Sequence, residues 1–227
     1  MDISLHYEES GAGAPLLLLH GNSEDHTYFS HQIPYFSRHF RTIALDTRGH
    51  GASPRGHAPF TIAQFAEDLH DFLCAQGIRR VHLLGFSDGG NIALTFALRY
   101  PHMVDRLILN GANLCPAGVR ASVQLPILLG YGIAACLARF DATAQKKKEL
   151  LGLMVHEPHI APDALRALPM PVLVIAGRND MIRRAHTEQI AHAIPNASLV
   201  LLPGDHFIAA RSPDAFNHAV GAFLGIE

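Results

Sequence analysis

Three side chains far apart in the sequence have the types and the order for nucleophilic acyl chemistry. Ser87 lies in GFSDG, between Gly85 and Gly89, where an apolar run stops and a helical pattern begins. A serine hydroxyl attacks a carbonyl carbon only when a base takes its proton, and the base needs an acid to fix its tautomer and stabilise the imidazolium. His206, in GDHF after SLVLLPG, has the type of the base, and Asp180, in GRND after PVLVIAG, that of the acid. Each follows a strand-like run, and Ser, Asp, His is the order expected when all three stand on loops at one edge of one sheet. The tetrahedral intermediate then calls for backbone donors. Asp88, directly after the serine, offers one N–H, and Asn22, in the loop after LLLLHG, the other. The plainer readings, that Ser87 caps a helix and HGN is a simple turn, leave the flanking glycines without a purpose.

Such a constellation needs a sheet that delivers loops to one rim. Short apolar runs at 3–7, 16–19, 42–45, 81–84, 107–109, 172–176 and 199–202 alternate with helical stretches, the pattern of parallel strands joined by crossover helices in an α/β fold. The first run alternates apolar and polar residues, so it is expected half exposed at an edge; several others are continuously apolar, as central strands covered on both faces are. Thr61 and Gln64 suggest a capping box at the start of TIAQFAEDLHDFLCAQG, with Gly77 as its stop; Pro101 ends the helix after Ser87, and a last helix begins at Pro213. Residues 111–168 break the alternation. They are expected to form a short helical cap inserted into a core of residues 1–110 and 169–227, one domain overall.

Composition narrows the partners. With 227 residues, 48% hydrophobic and 17% charged, the chain is long and apolar enough for one large core, and a net charge of -2 offers nucleic acid or an anionic membrane no attraction. Cys74, Cys115 and Cys136 are odd in number and lack metal-ligand spacing, and His156 and His159 lack further ligands, so neither a disulfide framework nor a metal site is expected. The start, MDISLHYEESG, has no basic end and no apolar centre of a signal peptide, which sets the expectation of a cytoplasmic protein. Residues 121–138 carry no charge, but Pro126, Gly130 and Gly132 interrupt a stretch marginal in length, so no stable membrane span is expected. If that stretch is the inner face of the cap, Leu128 and Ile133 bind an apolar substrate; packing of the cap on the body and a homodimer interface are the other readings.

Taken together, LLLLHGN (16–22), DTRGHGAS (46–53), GFSDGG (85–90), GRND (177–180) and GDHF (204–207) resemble the α/β-hydrolase superfamily over essentially the whole chain. The resemblance implies the α/β-hydrolase fold, a mostly parallel central sheet flanked by helices, with Ser87 as nucleophile, His206 as general base then acid, Asp180 as its orienter, and no cofactor. GFSDGG looks most like small bacterial esterases and the biphenyl-hydrolase-like valacyclovir esterases. The implied activity is cleavage of a small carboxylic ester or thioester through an acyl-enzyme. Carbon–carbon bond hydrolases and cofactor-free haloperoxidases or perhydrolases resemble the same triad, and some relatives are non-catalytic small-molecule receptors; dehalogenases and epoxide hydrolases are set aside because they need a carboxylate where this chain has Ser87.

Overall fold

The computed structural model describes residues 2–226. Seven strands form one sheet: β1 (Tyr7–Ser10), β2 (Pro15–Leu19), β3 (Arg41–Leu45), β4 (Val81–Phe86), β5 (Val104–Asn110), β6 (Val172–Gly177) and β7 (Ala197–Leu202). Their order is β1-β3-β2-β4-β5-β6-β7, with β1 antiparallel to β3 and every other pairing parallel. The helices are α1 (Ile33–Phe36), α2 (Ile62–Ala75), α3 (Asp88–Arg99), α4 (Ala121–Leu137), α5 (Ala142–His156), α6 (Arg184–Ala193), α7 (Ile208–Arg211) and α8 (Pro213–Leu224). This is the α/β-hydrolase fold.

The alternation within β2 shows why a run of four leucines is needed. Leu17 and Leu19 join one apolar cluster with Phe65, Leu69, Ile92 and Phe96, while Leu16 and Leu18 join the other with Phe29, Phe36, Phe216 and Val220. Successive side chains of a strand face opposite ways, so a strand covered on both faces has no polar position to spare.

The first strand differs from its sequence expectation. The ladder to β3 runs over Tyr7–Ser10 rather than 3–7, because β3 ends at Leu45 and the chain beyond it turns away. The residues before Tyr7 find other partners: the His6 N–H donates to Ser53 Oγ at 2.8 Å and the His6 carbonyl accepts from the Asp46 N–H at 2.9 Å. Strand β5 is longer than its apolar centre, since the half-buried Asp105 and Arg106 near its start pair with Arg80 and with the Phe223 carbonyl. Half of the expected capping box forms. Thr61 Oγ1 accepts from the Gln64 N–H at 3.1 Å, but the Gln64 amide turns forward to Asp68 Oδ1 instead of back to Thr61.

Between β5 and β6 lie α4 and α5, tied to the rest by main-chain bonds such as Arg120 N–H to Met181 O and Arg183 N–H to Gly118 O, both 2.8 Å. The end of this segment is core: Leu165 and Leu168 are buried in the main apolar cluster. Helix α4 is apolar on both sides and only Ala134 is buried. Leu125, Leu129, Ile133 and Leu137, one turn apart, continue into Phe140 as an outward-facing apolar stripe. Among the described residues no helix is long and apolar enough to cross a membrane.

One buried ion pair holds the loop after β3. Arg48, fully buried, grips Asp68 of α2 through Nε and Nη2, both at 2.6 Å, and reaches Asp2 with Nη2. Removing one partner strands the other charge in a dry interior, so Arg48→Ala is expected to lower unfolding free energy by about 3–5 kcal/mol. Urea denaturation measures this, and the double substitution Arg48→Met with Asp68→Leu is expected to lose clearly less.

Candidate active site

The turn from β4 into α3 presents Ser87. Its backbone sits at φ 53 and ψ -120, outside the regions comfortable for a residue with a side chain, a strain of about 1–3 kcal/mol that surrounding packing must hold in place. The packing is close. A Cβ on Gly85 would stand 2.2 Å from the Gly89 carbonyl oxygen, and one on Gly89 would stand 2.2 Å from the Leu19 oxygen at the end of β2. The Ser87 N–H is spent on the Asn110 carbonyl of β5 at 2.8 Å. Its hydroxyl makes no capping bond to α3; Oγ lies 3.0 Å from His206 Nε2 instead. The reading of Ser87 as a mere helix cap is therefore set aside.

His206 and Asp180 arrive on the loops after β7 and β6, both almost fully buried. His206 Nδ1 is 2.7 Å from Asp180 Oδ1, which also accepts the Ile182 N–H at 2.8 Å. The structure thus brings together Ser87, His206 and Asp180 in one hydrogen-bonded chain. Asp205, next to His206 in the sequence, turns away, accepting the Phe207 N–H and pairing with Arg211. The imidazole is packed between Phe86, with ring centroids 4.8 Å apart, and Phe207 at 5.5 Å.

The two residues expected to offer oxyanion donors stand side by side. Asp88 is the first residue of α3, where a helix leaves its N–H groups without intrahelical acceptors. Asn22 Nδ2 donates to Asp88 Oδ2 at 2.9 Å and to the Leu150 carbonyl of α5 at 2.8 Å, joining the β2 loop, the serine turn and the inserted helices. The Asp88 carboxyl does not cap its helix; it accepts from Asn22 and, at 3.2 Å, from Asn91, and burial pushes its pKa up. His20 braces the same loop. Its Nδ1 donates to the Gly21 carbonyl at 2.7 Å and its Nε2 accepts the Thr47 N–H at 3.0 Å, while burial pulls its pKa down and keeps it neutral.

Acidic residues of the inserted segment also have structural partners. Asp141 accepts the Ala144 N–H at the start of α5, Glu157 accepts the Ile62 N–H at the start of α2, and Asp163 lies exposed beside Arg166. Leu128 and Ile133 face solvent, 43% and 56% exposed, and Ile133 borders a groove with Leu137, Asp141 and Lys147 that contains no triad residue. The site described here does not include them, because α4 turns its apolar stripe outward rather than toward Ser87. His6, His26 and Asp46 could in principle hold a metal. Both Nδ1 atoms already bond the buried Asp46 carboxylate at 2.9 Å, and it also takes the His26 and Ala52 N–H groups, so its lone pairs are fully used by a structural knot.

Four contributing residues escaped the sequence reading. Gly111, at φ 63 after β5, clears space for the His206 ring, since a Cβ there would lie 2.8 Å from His206 Cε1. Asn91 and Asn113 exchange hydrogen bonds of 3.0 and 2.9 Å that pin α3 to the segment after β5. Glu24 accepts the Gly21 N–H at 3.0 Å. The only signal for it was an acidic residue three positions after a glycine in a turn.

Comparison with known proteins agrees with this geometry. Residues 14–153 match the alpha/beta hydrolase fold family. The mouse serine hydrolase BPHL is 30% identical over 248 residues, spanning 98% of this chain and 83% of that protein. RutD of Agrobacterium fabrum, provisionally named a carbamate hydrolase, is 31% identical over 256 residues, covering 97% and 98% of the two chains. The solved structure of a thermophilic esterase from Thermogutta terrifontis, with malate bound, superimposes with a TM-score of 0.81 at 25% identity, covering 98% of this chain and 93% of that one.

The glycine packing is directly testable. Gly89→Ala drives a methyl into the β2 backbone and is expected to cost about 3 kcal/mol or more, at the upper end for overpacking. Gly132→Ala, with nothing within 4 Å, is expected to raise stability by about 0.5–1 kcal/mol. Thermal unfolding of both variants decides; a Gly89→Ala protein that melts with the wild type would contradict the packing described.

Proposed function

The chain belongs to the alpha/beta hydrolase fold family, and we propose that within it this protein is a serine hydrolase of small carboxylic esters. The observation that carries the reading is the unbroken chain from Ser87 Oγ through His206 to Asp180, on a strained turn that spends no hydroxyl bond on its own helix. The likeness to a serine hydrolase and to an esterase over nearly the full chain supports it.

In this reading Ser87 Oγ bonds to the carbonyl carbon of the ester while its proton passes to His206 Nε2. Asp180 stays ionised and accepts the Nδ1–H, holding the tautomer in which Nε2 is free to take the proton. The carbonyl oxygen becomes an oxyanion facing the N–H groups of Asn22 and Asp88. Collapse breaks the bond to the leaving alkoxide, which takes the proton from His206 and departs as the alcohol. Water then gives a proton to His206 and attacks the acyl carbon; the acid leaves, and the proton returns to Ser87. Each oxyanion donor of this kind is worth about 2.7–4 kcal/mol in the transition state.

A second reading, cleavage of a carbamate, is favoured by the full-length likeness to RutD. The attack is the same, but the leaving nitrogen needs the proton from His206 before it departs.

The test is a panel of nitrophenyl esters of graded acyl length beside a nitrophenyl carbamate. Ser87→Ala and His206→Ala are expected to abolish ester turnover, and Asp180→Asn to lower kcat about 10⁴-fold through the wrong imidazole tautomer. Turnover that survives in Ser87→Ala sinks the assignment, and preference for the carbamate over every ester selects the second reading.

A further inference from the structure

The turn that carries the Asn22 N–H is closed twice. The Glu24 N–H donates to the Gly21 carbonyl at 3.3 Å, and the Gly21 N–H donates back to Glu24 Oε2 at 3.0 Å. Inside this ring of bonds Ser23 is held at φ 63, a left-handed conformation that a residue with a side chain adopts only under constraint. The fit is tight: a Cβ on Gly21 would lie 2.9 Å from the Glu24 carboxylate and 3.1 Å from the Phe86 ring, which in turn packs on His206. The side chain of Asn22, at the tip, is anchored to Asp88 and Leu150, and the Gly21 carbonyl is anchored to His20. Of the anchors on this turn, only the Glu24 carboxylate fixes the Gly21 N–H.

We propose that Glu24 is a positioning residue for the hydrolysis: its carboxylate, acting through the Gly21 N–H, holds the turn so that the Asn22 N–H points at the developing oxyanion. This rests on the ester-hydrolase reading above and assigns Glu24 no contact with substrate. A carboxylate is a stronger acceptor than a carboxylic acid, so the clamp is firmest when Glu24 is ionised. Burial pushes Glu24 up to about 7, against the pull of the Gly21 N–H and of His206; Asp25 pushes it further up. Tyr28, on the same loop, is the other titratable group beside it.

The raised value of Glu24 gives its effect on stability a definite direction. Glu24 ionises in the unfolded chain near its ordinary value of 4.5 but in the fold only near 7. Its contribution is therefore full below the lower value, falls between the two, and stays low above the higher.

The experiment measures kcat and KM for ester turnover from about pH 5 to about pH 9 in the wild type, Glu24→Gln, Glu24→Ala and Ser87→Ala. It also records the amide resonance of Gly21 and the thermal midpoint of each protein across that range. In Glu24→Ala, kcat is expected to fall about tenfold or more with KM within about twofold, as for loss of transition-state positioning. Glu24→Gln, which keeps an acceptor, is expected to restore at least about half of the wild-type kcat at high pH. It is also expected to lose the ionisation near pH 7 from its profile and to melt no lower than the wild type at pH 8. The Gly21 amide of the wild type is expected to titrate near pH 7, and that of Glu24→Gln to stay constant. Wild-type kcat in Glu24→Ala, with Ser87→Ala inactive, overturns the proposal while leaving the hydrolase reading intact. Turnover in Ser87→Ala overturns the hydrolase reading, and with it the role for Glu24. A Gly21 amide resonance that is the same in the wild type, Glu24→Gln and Glu24→Ala overturns the clamp whatever the kinetics.

Discussion

The structure depends on the close approach of three backbones around Ser87. A serine held at φ 53 cannot persist by itself; β2, β4 and the first turn of α3 must converge until carbonyl oxygens stand where a Cβ would be. That convergence requires Gly85 and Gly89, and it requires the apolar clusters on both faces of the sheet to press the strands and helix together. The Ser87 hydroxyl is thus presented to His206 by the same sterics that seal the core beneath it. Strain is local, and the packing that holds it is spread over the domain.

Around that point the chain keeps its other charges quiet. Sixteen histidines are present, yet the ones near the loops are committed to architecture. Burial pulls His20 and His50 down, the latter to about 4, so that they serve as neutral hydrogen-bonding groups. His6 and His26 share Asp46, and His186 accepts the Leu114 N–H at 2.9 Å. Arg48 and Asp68 cancel one another inside the fold. His206 alone among these has a nitrogen within hydrogen-bonding distance of a serine hydroxyl backed by a buried carboxylate on the other side.

Much of this was legible in the residues. Continuous apolar runs identified central strands, and the triad could be named because each member follows such a run, where a parallel sheet must release its loops. The edge strand was misplaced because alternation continues through Ile3 and Leu5 although β3, its partner, ends at Leu45. The solvent-facing placement of Leu128 and Ile133 was not legible, because a helix apolar on both sides carries no periodic sign of which side faces in. Glu24, Gly111 and Asn113 were invisible for another reason. Their importance lies in contacts with residues remote in sequence or in the backbone of a turn, and no spacing rule announces either.

The outward stripe on α4 has a colloidal consequence. A net charge of -2 gives copies of this protein little long-range repulsion, while Leu125, Leu129, Ile133, Leu137 and Phe140 offer a short-range attraction wherever two molecules meet. Because that attraction comes from shedding water from hydrocarbon, it strengthens on warming from the cold, in the direction opposite to the loosening of the fold. The outer face of this helix therefore sets how crowded a solution of this protein can become before its molecules cling.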